Sequence, residues 1–180
     1  MAWASFVEKG EYIPNWCNNN LTIKGPYKEL ERFKKFAKGN GKNELISANN
    51  FIPYPEKFKE LDEYAESKEA KEMELKTNKS IKDGYNSGGY EWCIKNWGTK
   101  WDFDDVELAY DSDNELDYVF DTAWSPPGPV VEKMGKLFPE LTFKLKYSEE
   151  GVGFKGELKV QNGKVVDYIS KSIGRKKIKA

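Results

Sequence analysis

The run Val106-Glu107-Leu108-Ala109-Tyr110, the turn Asp111-Ser112-Asp113-Asn114 and the answering run Glu115-Leu116-Asp117-Tyr118-Val119-Phe120-Asp121 decide the fold. Val106, Leu108 and Tyr110 alternate with Asp105 and Glu107. Leu116, Tyr118 and Phe120 alternate with Asp117, Val119 and Asp121. This is the period-two pattern of a hairpin with one apolar side. Ser125-Pro126-Pro127 then opens a helix whose apolar side is Val130, Val131, Met134, Leu137 and Phe138, and Pro139 closes it. Leu141, Phe143, Leu145 and Tyr147 alternate with Thr142, Lys144 and Lys146 in a further strand. Beyond it, Asn162-Gly163 joins residues 153–160 and 164–170 as a second hairpin.

Upstream, Trp16, Asn18, Asn20, Thr22 and Lys24 alternate with Cys17, Asn19, Leu21 and Ile23 in a first strand that Gly25-Pro26 ends. A helix follows, with Leu30, Phe33, Phe36 and Ala37 as its stripe, broken by Gly39-Asn40-Gly41. Phe51-Ile52-Pro53-Tyr54-Pro55 suits an edge strand or an extended loop, because its prolines cannot donate to a ladder. Residues 56–78 are charge-dense and read as an exposed helical insertion. The tryptophan-rich segment 89–102 reads as a short helix with Tyr90, Ile94 and Trp97 on one stripe and Gly98 as its stop. With the insertion (about 56–100) set aside, the order is βαββαβ. That predicts an α+β ferredoxin-like sandwich over residues 12–170, with an extra C-terminal hairpin and a basic tail over 171–180.

Composition narrows the chemistry. The chain has 180 residues and no histidine, which removes Ser-His and Cys-His nucleophilic mechanisms and most zinc sites. Cys17 and Cys93 read as reduced buried thiols or as one disulfide. The N-terminal residues lack the basic start and apolar run of a secretory signal, so a cytoplasmic setting without membrane contact is expected. Net charge is only −1, but its distribution is uneven. From Asp102 to Val131 there is no Lys or Arg, while Asp102, Asp104, Asp105, Glu107, Asp111, Asp113, Glu115, Asp117 and Asp121 are all acidic.

Five strings carry a resemblance: Pro14-Asn15-Trp16-Cys17-Asn18-Asn19, Phe51-Ile52-Pro53-Tyr54-Pro55, Trp92 with Asn96-Trp97-Gly98-Thr99-Lys100-Trp101, Phe120-Asp121-Thr122-Ala123-Trp124-Ser125-Pro126-Pro127, and Leu137-Phe138-Pro139. In that order they resemble the YubB-like ferredoxin-fold family, mostly small phage and plasmid proteins. The resemblance covers residues 12–166. It implies a mobile-element origin, a host-cell cytoplasmic setting and the ferredoxin-like architecture, and it carries no catalytic residues with it.

The candidate sites each have two readings. The tryptophan segment is either a core helix or a recognition patch with Trp92 or Trp101 beside Lys95 and Lys100. The acidic hairpin should gather Asp105, Glu107, Asp117 and Asp121 on one side, either as a solvated face or as a docking surface for a basic partner. Asp111, Asp113 and Glu115 have the spacing that starts a calcium loop. Leu116 stands where glycine is required and Thr122 where glutamate is required, so that reading fails, and a looser magnesium site for nuclease chemistry stays open. The basic tail is either a solvated terminus or a contact for nucleic acid or an acidic protein.

The resulting expectation is a non-enzymatic, cofactor-free binding protein that docks on a host protein, a nucleic-acid-binding defence enzyme such as a CRISPR effector. Asp105, Glu107, Asp117, Asp121, Lys100 and Trp101 would contact it, with residues 56–78 as a second region. The alternatives are a single-stranded nucleic-acid-binding module and a metal-dependent hydrolase using the acidic hairpin.

Overall fold

The computed structural model describes residues 15–41 and 44–173. The basic tail of the sequence lies largely outside the described residues. Strand β1 (Trp16–Lys24) lies inside the sheet and buries Cys17, Asn19, Leu21 and Ile23 on one side, as its alternation dictates. Helix α1 (Tyr27–Ala37) follows and buries Leu30, Phe33 and Ala37, whereas Phe36 is exposed.

After the insertion come β2 (Asp104–Asp111) and β3 (Glu115–Ala123), then helix α6 (Gly128–Leu137) and β4 (Thr142–Glu149). The hairpin β5 (Phe154–Gln161) and β6 (Lys164–Ser172) closes the described chain. The six strands pair antiparallel in the order β2-β3-β1-β4-β5-β6. The first four are the ferredoxin-like set, and β5-β6 extends the sheet past β4. Phe33 unites the helical layer with the sheet. Its ring centroid lies 5.2 to 6.2 Å from those of Phe51, Tyr118, Phe138 and Phe143.

Phe51 and Ile52 do not form a strand. Phe51 ends a one-turn helix, α2 (Ala48–Phe51), and Ile52 to Pro55 run on without pairing. The first turn of α2 is held by Asp102, whose carboxylate accepts from Ser47 Oγ (2.6 Å) and from the Ala48 (2.6 Å), Asn49 (3.3 Å) and Phe103 (2.8 Å) amides. Burial raises this carboxyl above the ordinary aspartate value, and the four donors oppose the rise. Asp102 is therefore an internal staple and does not belong to the acidic surface that its sequence neighbours suggest.

The insertion consists of α3 (Glu56–Glu66) and α4 (Lys68–Thr77), and it buries only Phe58 and Ala70. Helix α5 (Gly89–Asn96) carries Trp92 of the tryptophan cluster, and its buried line, Gly89 and Cys93, continues to Trp97 at the C-cap. Tyr90 is half-buried and Ile94 is exposed, one position off the expected stripe. Close approach explains the shift. A Cβ added at Gly89 would lie 2.0 Å from the Tyr54 hydroxyl, so only the glycine face can meet that ring.

Candidate functional site: the outer face of the sheet

The strand registers set the outward side chains in rows across the sheet. One row runs Asp104, Asp121, Asn18, Ser148, Lys155, Lys171 from β2 to β6. The next runs Glu107, Val119, Asn20, Lys146, Glu157, Ile169. A third runs Tyr110, Asp117, Thr22, Lys144, Lys159, Asp167. The face is thus acidic over β2-β3, neutral along β1, and mostly basic over β4 to β6. Glu115 closes the acidic half, where it pairs with Lys24 at 2.8 Å.

Glu107, Asp117 and Asp121 share this face, as their alternation requires. Asp105 does not join them by register. A bulge separates Asp104 from Glu107, and Asp105 sits within it at φ 48°. Asp104 takes the place opposite Asp121 instead. A second register shift, between Leu108 and Tyr110, turns the tyrosine opposite Asp117 and away from the apolar side where alternation would put it. Neither bulge has a glycine to announce it, so simple alternation through β2 misplaces both residues.

The acidic carboxylates differ in how they are held. Asp121 accepts from Asn18 Nδ2 at 2.6 Å. Asp117 is half-buried, and its Oδ1 is shielded from solvent with no donor among the described residues. Such an oxygen costs about 1 to 3 kcal/mol until a donor reaches it. Asp104 opposite Asp121 adds like-charge repulsion. An approaching Lys or Arg relieves both. Among the described residues no three Cys, Asp or Glu side chains come together to hold a metal ion, because the strands space the carboxylates out.

Trp101 and Lys100 stand at the edge of this surface. Trp101 meets Trp16 edge to face, with centroids 6.1 Å apart at 80°. Trp16 lies on the outer face at the end of β1, opposite Ala123, so the pair borders the Asn18–Asp121 contact. Trp16 reads in the sequence only as the first residue of a strand, and its partnership with Trp101 has no local signal. Lys100 Nζ lies 4.3 Å from the Trp124 ring centroid and 5.7 Å from that of Tyr90, and burial lowers its pKa. Its charge is already engaged by the chain's own rings.

The distinctive strings of the sequence converge on one internal joint. Trp97 Nε1 donates to the Ile52 carbonyl at 2.7 Å, and the Tyr54, Trp92 and Trp97 rings pack mutually at 5.4 to 5.9 Å. Ser125 Oγ donates to the Gly98 carbonyl, and Thr99 Oγ1 to that of Ala123. Buried Asn19 donates to Thr122 Oγ1 (2.8 Å), which donates in turn to the Ser125 carbonyl (2.8 Å). These motifs tie β1 and the segments that precede β2 to the end of β3; Trp92 and Trp97 are packing residues.

Cys17 and Cys93 are free and buried, and burial pushes both thiols up to about 12. The thiolate is the reactive form. Neither cysteine is expected to react with an aromatic disulfide reagent in the native protein at neutral pH, and both should react once guanidinium unfolds it. Rapid native-state reaction of either would contradict this packing.

Residues 96–178 match the family model described as the ferredoxin-like domain in Api92-like protein. The match takes in β2 to β6 and α6, while β1 and α1 complete the same sheet and layer from outside it. A crystal structure of a protein Api92 from Yersinia pseudotuberculosis superposes with a TM-score of 0.56 at 12% identity, covering 89% of this chain and 99% of that one. Likeness at this identity concerns the fold. No curated protein matches. No helix among the described residues is long and apolar enough to cross a membrane. The chain thus has a ferredoxin-like fold, and its residues 96–178 are similar to the ferredoxin-like domain in Api92-like protein.

Proposed function

We propose that this is a non-catalytic binding protein whose acidic sheet face docks on a basic protein. The observation that carries the reading is the row arrangement over β2-β3. It puts Asp104, Glu107, Asp117 and Asp121 on one solvent-facing surface, with Lys24 near Asp117 but paired to Glu115, and among the described residues it leaves Asp117 Oδ1 without a donor. Trp16 and Trp101 border that surface with half-buried rings, the kind of anchor that dominates interface energetics. A basic, nucleic-acid-binding surface fits it in sign. In keeping with the YubB-like resemblance, the protein would act in the cytoplasm of a host cell as a mobile-element product, against a nucleic-acid-handling defence enzyme such as a CRISPR effector. The insertion α3–α4 would supply a second contact.

Capture from host lysate tests this reading. The native protein is expected to retain a basic, nucleic-acid-binding protein in a salt-sensitive manner. Glu107→Lys with Asp121→Lys should weaken that capture by about ten- to a hundredfold, about 1.4 to 2.7 kcal/mol. Recovery of no partner, or of one indifferent to the reversal, would refute it.

A second reading rests on the other half of the same face. Lys146, Lys155 and Lys159, beside a Lys144 already paired with Glu157 at 2.8 Å, make it basic enough for a single-stranded nucleic acid. Salt-dependent binding of labelled single strands that is lost in Lys146→Glu would favour this reading over protein docking.

A further inference from the structure

The outermost strand opposite the acidic edge is the least covered element of the sheet. All nine residues of β6 are exposed, and Val165, Val166, Tyr168 and Ile169 in it are among the large exposed apolar side chains. Ile173 follows directly and is 43% exposed. One side of β6 pairs with β5, and among the described residues no strand lies on the other side. An exposed, apolar, hydrogen-bonding edge of this kind is a template for another strand.

The side chains of β6 say which strand. For two copies to continue one sheet with the same face outward, the pairing must be antiparallel about a two-fold axis normal to the sheet. Outward residues must then meet outward residues, so a single residue sits at the axis. On β6 the outward positions include Asp167, Ile169 and Lys171, which lie opposite Lys159, Glu157 and Lys155 of β5. An axis at Asp167 would oppose two carboxylates. An axis at Tyr168 or Ser170 would leave both charges facing neutral side chains. An axis at Ile169 sets Ile169 against its own copy and Asp167 against Lys171 on both sides of it.

We propose that the protein forms a two-fold dimer through the free edge of β6, centred on Ile169 and fixed in register by two symmetric Asp167–Lys171 ion pairs. The occupant of the edge is a second copy of this chain, because its charges complement themselves in one register only. The two sheets become continuous, and both acidic faces point to the same side. A multivalent basic target then meets two equivalent surfaces at once.

Sedimentation equilibrium of the full chain at several concentrations tests the proposal. The native protein should approach twice 20.8 kDa. Asp167→Lys sets lysine against Lys171 twice and should weaken dimerisation roughly tenfold or more. Adding Lys171→Asp to that variant exchanges the two charges and should restore the dimer. Circular dichroism would show that each variant keeps its sheet. A monomer at every concentration overturns the proposal, as does a dimer unchanged by Asp167→Lys or a double variant no better than the single one. None of these outcomes depends on the identity of a host partner.

Discussion

Phe33→Ala is expected to destabilise the protein by about 4 kcal/mol, within the range typical of phenylalanine truncations in packed cores. The side chain is fully buried, and its four ring partners come from different parts of the chain. Phe51 belongs to α2, Tyr118 to β3, Phe138 follows α6, and Phe143 belongs to β4. Truncation leaves a hole where these pieces meet, and rings fixed from several directions relax poorly into it. Domains of this size have only about 5 to 15 kcal/mol of stability in all. The melting temperature should therefore fall by roughly 8 to 16 °C. Urea or thermal unfolding would measure it. Phe36→Ala, one turn away and 42% exposed, is the control and should lose less than half as much. Equal losses would mean that α1 does not present Phe33 to the core.

Asp102→Ala is expected to cost about 3 to 4 kcal/mol, for a different reason. Its carboxylate gathers one hydroxyl and three amide donors from two separate segments. Alanine removes the acceptor and leaves those donors unpaired in a partly buried site. Asp102→Asn keeps the shape and one carbonyl oxygen but turns an NH2 toward donors, so an intermediate loss of about 2 kcal/mol is expected. Both should also speed amide exchange at Ala48 and Phe103. Unchanged protection at those amides would show that solvent replaces the carboxylate and that the staple contributes little.

The architecture is largely readable from local pattern. Alternation in Cys17 to Ile23 and Leu116 to Phe120, the helix opened by Pro126-Pro127 and the Asn162-Gly163 turn each agree with the element that forms. Where reading fails, the cause is tertiary. Ile94 was expected in a buried stripe because periodicity fixes the spacing of a stripe but not its phase, and Gly89 against Tyr54 sets the phase. Asp102 looks like one more acidic residue until α2 is seen to end on it. Asp105 and Tyr110 escape alternation because strand geometry allows bulges that leave no mark in residue type. The Trp16–Trp101 contact and the charge gradient across six strands depend on pairings between distant segments, and they become visible only with the register.

The two margins of the sheet are not equivalent. At one, β2 combines two bulges with exposed Asp104, Asp105, Glu107 and Asp111. Kinks and crowded negative charge make that margin a poor template, a recognised safeguard against runaway association. A sheet open at both margins would polymerise. This one has a single growing end, and two-fold pairing there would use it up, so assembly would stop at a closed pair and leave no fibre to elongate.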